Sequence, residues 1–143
     1  MKKWYIASRM RHKESISQII SILEKHNQKV TFNWTKLQLK KPYNEYEKEY
    51  SDIADSICSA VMNTDIFILI SDKEGTDMFI ELGMILVKQK QDPNIKIYCV
   101  GKYNSRSLMH LHPSILKMNS LEEVFEEELA ECVEEIEKIK LEI

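Results

Sequence analysis

Four carboxylates fall within ten positions of this chain: Asp72, Glu74, Asp77 and Glu81. The last differs from the others in its setting. Glu81 is the only charged residue in Met78–Val87, MFIELGMILV. Burying an unpaired carboxylate costs several kcal/mol or raises its pKa by up to ~3–5 units. A helix N-terminus returns only ~0.3–1 kcal/mol, up to ~2 when partly buried. Glu81 is therefore expected to line a cleft rather than sit in the core. Carboxylates can act as covalent nucleophiles toward an anomeric carbon, with a second group serving the leaving group. The preceding Ser71–Asp77 segment reads as a strand-to-helix turn. Within it Gly75 permits a tight turn, and Thr76 or Asp77 is suited to cap the helix. The plainer reading is an acidic loop with ordinary capping, in which a lysine neutralises Glu81.

Other chemistries are poorly served. The only glycines are Gly75, Gly83 and Gly101. They form neither G-x-G-x-x-G nor G-x-x-x-x-G-K-[ST], so neither a common dinucleotide site nor a P-loop is expected. A G-x-S-x-G elbow is missing too. His110 and His112 make H-x-H without a convincing third ligand, and are read as solvated loop histidines. No metal and no cofactor are expected. Ser8, Arg9, Arg11 and His12 have the chemistry to hold a phosphate, since arginine binds phosphate in bidentate fashion. A solvated basic turn is the competing reading.

The elements that must position these residues follow from periodicity. Lys3–Ser8 reads as a first strand, followed by a helix marked by Ile16, Ile19, Ile20 and Leu23. Val30–Trp34 alternates like a second strand, and Thr35–Pro42 reads as a loop. Tyr46, Tyr50, Ile53, Ile57, Ala60 and Val61 mark a second helix. Ile66–Ile70, IFILI, fits a central parallel strand buried on both faces. The Glu81 helix comes next, then strands at Ile95–Val100 and Ile115–Met118. Ser120 with Glu123 makes a capping box that opens an acidic C-terminal helix at about 120–140. Alternation of this kind defines an α/β class: a three-layer α/β/α sandwich, Rossmann-like, around a parallel five-stranded sheet. The expected strand order is 2-1-3-4-5. It puts a switch point between the first and third strands, where ligands bind at the strands' carboxyl ends. Ser8–His12 and Ser71–Asp77 meet there, with Glu81 at the same edge.

Composition bounds the rest. The 143 residues suit a single domain, 1–143, with 43% apolar and 30% charged residues. No apolar run reaches the ~18 residues of a membrane span. The opening MKKWYIASRMRHKE lacks the apolar region of a secretion signal. Cys58, Cys99 and Cys132 show no paired spacing, so reduced thiols and a cytoplasmic setting are expected. The net charge of −3 hides ten Glu against two Lys from Ser120 onward, which leaves +5 elsewhere. That excess is too dilute for binding a nucleic-acid polymer. The Glu81 helix is apolar on every face, and one sheet cannot cover them all. At least a homodimer packed through this helix is expected.

Trp4-Tyr-Ile-Ala-Ser8, Asn63-Thr-Asp-Ile-Phe-Ile-Leu-Ile70, Gly75-Thr76 and Glu81-Leu-Gly83 together resemble the nucleoside 2-deoxyribosyltransferase family. The related deoxynucleoside-monophosphate glycosidases and small bacterial members of that superfamily share the likeness, which runs to about Val100. It implies a flavodoxin-like fold and cleavage or transfer at an N-glycosidic bond of a nucleoside or nucleotide. Glu81 would be the nucleophile toward C1′, and Tyr5 the tyrosine that helps hold it. The aspartate that contacts the leaving base falls nearest Asp55, with Asp52 and Asp72 as rivals. Ser8, Arg9, Asp72, Gly75, Thr76 and Asp77 would line the substrate site. Family members are oligomers. A non-catalytic binding or sensor domain that keeps the pocket is the alternative; a glycosidase of nicotinamide nucleotides is a third.

Overall fold

A computed structural model describes all of Met1–Ile143. Five strands, β1 (Lys3–Ala7), β2 (Lys29–Val30), β3 (Ile66–Ile70), β4 (Lys96–Val100) and β5 (Ile115–Met118), form one sheet. Its order is β2-β1-β3-β4-β5, and every pairing is parallel. Five helices cover it: α1 (Lys13–Lys25), α2 (Glu47–Met62), α3 (Asp77–Gln91), α4 (Leu121–Glu128) and α5 (Val133–Glu137). The architecture is the three-layer α/β/α sandwich expected from the alternation. No helix is long and apolar enough to cross a membrane.

Side-chain alternation along the strands sorts residues between two cores. Trp4 and Ile6 of β1, with Ile66, Ile68 and Ile70 of β3, point to a core shared with α1, α4 and α5. There Trp4 stacks on Phe125 at 5.3 Å between ring centroids. Tyr5, Ala7, Phe67 and Leu69 point to the opposite core, against α2 and α3. Tyr5 and Phe67 are register partners and their rings stack at 5.6 Å. Such a pair is worth ~0.5–1.5 kcal/mol beyond its buried area. Placing Tyr5 on the α3 side is what allows it to reach Glu81.

Three local expectations fail. Only Lys29–Val30 of the second strand pairs with the sheet. Beyond it the chain turns inward at Trp34, whose indole N–H donates to the Ile6 carbonyl at 2.7 Å. A buried tertiary hydrogen bond has overridden the alternating pattern. The acidic C-terminal segment is not one helix. It breaks at Leu129, where φ is −155° and ψ 69°, passes through a 3-10 turn at Ala130–Cys132, and resumes as α5. The break lets Cys132 and Ile136 join the core with Val124 and Phe125. The Ser120 cap is present, accepting from the Glu123 amide at 3.4 Å, but Glu123 reaches back to the Asn119 amide instead of Ser120.

Candidate active site

The Glu81 carboxylate lies one turn into α3, on the face turned toward β1. It is 8% exposed. The Tyr5 hydroxyl donates to Glu81 Oε1 at 2.5 Å; no cation pairs with the carboxylate. Burial pushes Glu81 up to about 7, a rise that the Tyr5 hydrogen bond restrains and the negative charge of Asp77 reinforces. Tyr5 moves upward as well, through burial and the neighbouring Glu81 charge, so its hydroxyl stays protonated and remains a donor. Ionising Glu81 in this setting costs roughly 3 kcal/mol more than ionising an exposed glutamate.

Buried as it is, Glu81 still lines open space. A cavity of about 400 Å³ between α2 and α3 is walled by Tyr43, Tyr50, Ile53, Ile57, Ile80 and Met84, with Asp77 and Glu81 as its carboxylates. A small recess of about 90 Å³ joins Glu81 and Tyr5 to Ser8, Trp34 and Leu37. A larger polar cavity of about 910 Å³ runs along Ser8, Arg9, Lys41, Gly75 and Thr76. Tyr43 and Asp77 line all three. Asp77 is exposed at the first position of α3, and its side chain makes no hydrogen bond or ion pair. Neither Thr76 nor Asp77 caps α3 through its side chain. Gly75 has φ +129°, a conformation that favours glycine, and an added Cβ would meet Met78 at 3.1 Å.

A second carboxylate lies at the end of β3. Asp72 is 1% exposed. Arg11 donates to its Oδ2 through Nε at 2.9 Å and through its terminal nitrogen at 2.7 Å. The Glu74 amide donates to Oδ1 at 3.1 Å. Arg9 stands 3.7 Å from Asp72 and 3.2 Å from Glu74. Burial alone would raise Asp72, but the Arg11 guanidinium, the Glu74 amide and Arg9 together hold it below the usual carboxylate range. The arginines read as a phosphate cradle are thus engaged with carboxylates. Ser8 donates to the Arg9 carbonyl at 2.9 Å. His12 is buried, and its Nε2 lies 3.8 Å from Asp72 with no hydrogen-bond partner.

Asp55 and Asp52 are exposed on α2 and line none of the three cavities around Glu81. The structure therefore brings Glu81, Tyr5, Ser8, Arg9, Gly75, Thr76 and Asp77 to one edge, keeps Asp72 beneath the arginines, and leaves Asp55 outside. Sequence reading missed Tyr43, whose aromatic character in an otherwise polar loop was the available signal. It also misread His110, which is fully buried. Its ring bonds to Ser107 Oγ at 2.7 Å and to Ser71 Oγ at 3.1 Å, fastening the 3-10 turn Leu108–Leu111 to the end of β3. His112 is half-buried and bonded to Ser114 Oγ at 2.7 Å. No cluster of three His, Cys, Asp or Glu residues forms a metal-binding group.

Sheet order and site position define a doubly wound α/β protein with its cleft at the β1/β3 switch point. No family model matches the chain, and no curated protein sequence matches it. Among solved structures the fold is similar to that of the Clostridium botulinum CMP N-glycosidase BcmB, with a TM-score of 0.54 and 18% identity. The match covers 83% of this chain and 90% of that one. At this identity the likeness is one of fold, and at that level it bears out the resemblance read from the sequence.

Proposed function

We propose that this protein cleaves the N-glycosidic bond of a nucleoside or nucleoside monophosphate through a glycosyl ester on Glu81. The observation that carries the reading is the Tyr5–Glu81 hydrogen bond beside the cavities at the switch point. In the first step a Glu81 oxygen bonds to C1′ as the C1′–N bond breaks, and the electron pair leaves with the base, which takes up a proton. Water or a second base then attacks C1′ and returns the electron pair to Glu81. Two inversions give net retention. Near pH 7 a substantial fraction of Glu81 is ionised, and the Tyr5 hydroxyl stabilises that form. The apolar cavity with Tyr43 and Tyr50 suits a base, while Ser8 and Lys41 in the polar cavity suit a sugar or phosphate. Lys41 has no carboxylate partner and so is the cation free to meet an anion. The neighbour's substrate puts CMP first in the panel to be tested. Wild type and Glu81→Gln are incubated with CMP, dCMP and the common (deoxy)nucleosides and monophosphates, and free base is quantified by chromatography. Release by the wild type and loss in Glu81→Gln is expected. No release or exchange from any member by the wild type would overturn the reading.

The alternative is a binding domain that keeps the pocket without turnover. The engagement of Arg9 and Arg11 with Asp72 and Glu74 favours it. Calorimetric binding of a nucleotide with no base release, unchanged in Glu81→Gln, would select it.

We also infer a homodimer or larger homo-oligomer packed through α3. Ile80 and Val87 on that helix are 57% and 64% exposed, and Gly83 has nothing within 4 Å of an added Cβ. A monodisperse monomer at micromolar concentration in sedimentation velocity would sink this inference.

A further inference from the structure

We propose that Asp77 takes the proton from the water that frees the sugar from Glu81. The proposal rests on the glycosyl-Glu81 reading above and names the second group that such a reaction requires. Four carboxylates come into question, and three are disqualified by their surroundings. Asp72 is buried and saturated by Arg11 and the Glu74 amide. Glu74 is paired with Arg9 at 3.2 Å. Asp55 lies outside the cavities. Asp77 alone is exposed, without a partner, and on the wall of both cavities that Glu81 lines as well as of the polar cavity beside them.

Its spacing is also right. Asp77 and Glu81 are four residues apart on one helix, which places their Cβ atoms roughly 5–6 Å apart on one face. The two carboxylates are close enough for the Asp77 charge to be felt at Glu81. Asp77 also stands where the apolar and polar cavities meet. A base departing from the cavity of Tyr43 and Tyr50 would vacate the space beside this carboxylate, and water would fill it. In the step assigned here, the water oxygen bonds to C1′ and the C1′–O bond to Glu81 breaks. Its electron pair returns to Glu81, and the water proton passes to Asp77 and from there to solvent. No redox partner or further reactant is needed.

The test is Asp77→Asn, examined by rapid quench, by intact-protein mass spectrometry and with added azide. Because the Asp77 side chain holds no contact, the variant should melt like the wild type. The expected result is a burst of about one equivalent of base per site, followed by turnover slowed ~10²-fold or more, the ordinary worth of a general base. The sugar should remain attached to the peptide containing Glu81. Azide, which needs no deprotonation, should restore turnover and give a glycosyl azide. Wild-type-like turnover would overturn the proposal. Loss of the burst itself would also overturn it, because Asp77 would then act before the glycosyl-enzyme forms. Both results leave Glu81 in place. Failure of the wild type to release base from any substrate would instead remove the Glu81 reading and this proposal together.

Discussion

Glu81 and Asp72 sit at the same edge of the sheet and are both nearly hidden from water, yet their charges are treated in opposite ways. Asp72 receives two N–H bonds from Arg11, an amide from Glu74 and the field of Arg9. Its negative charge is neutralised where it stands, and its proton affinity falls. Glu81 receives one neutral hydroxyl and faces a second carboxylate, and its proton affinity rises to about 7. Burial is common to both, so burial alone does not make a reactive group. The absence of a compensating cation does. Asp72 is tied into the loop after β3 by its ion pairs and the Glu74 amide, while Glu81 keeps a charge that no cation offsets.

The largest separation between the two should appear in catalysis. Glu81→Gln is expected to lower base release by ~10³-fold or more, as loss of a covalent nucleophile does, while Asp72→Asn retains most activity under the same assay. Stability against pH should then move in opposite directions. Glu81 has a folded pKa above its ordinary value, so its contribution is intact below about 4.5 and is lost as pH rises through about 7. Thermal or urea melts of the wild type should lose roughly 2.5 kcal/mol between pH 5 and 8.5 from this group, and Glu81→Gln should flatten that slope. Asp72 is depressed, so its contribution is present above the usual aspartate range and fades as pH falls through and below it. In size, Asp72→Asn should cost only about 1–2 kcal/mol near pH 7, because its arginine partners face water and are partly screened. The smallest effect is expected from Tyr5→Phe. Without its donor, Glu81 should titrate about one pH unit higher, visible as an upward shift of the acidic limb of the pH–rate profile. Unchanged profiles in Tyr5→Phe would mean that the hydroxyl does not tune the carboxylate.

How much of this was legible in the sequence depends on the range of the interactions involved. The sheet order followed from alternation and from the unbroken IFILI strand, both local signals. Glu81 was visible because a lone charge in an apolar helix is a local anomaly. The side on which Tyr5 emerges was implicit in its place on β1. What stayed hidden was set by contacts between distant residues. Arg11 meets Asp72 across 61 positions of chain, and Trp34 finds the Ile6 carbonyl across 28; neither pairing leaves a trace in spacing. The Leu129 break likewise reflects where Cys132 and Ile136 must go, since periodicity through that point looks continuous. His110 read as solvated because one of its two hydrogen-bonding serines, Ser71, lies 39 positions away in the chain.

Trp34 has one further consequence. The chain contains two tryptophans. Trp4 is packed against Phe125 in the core on the α1 side. Trp34 borders the small recess that Glu81 and Tyr5 share, with its ring nitrogen fixed to the sheet backbone. The fold thus carries a stationary chromophore at the threshold of its own cleft. In a Trp4→Phe background, the emission of one native side chain becomes a direct optical record of occupancy beside Glu81, with no label attached and no turnover required.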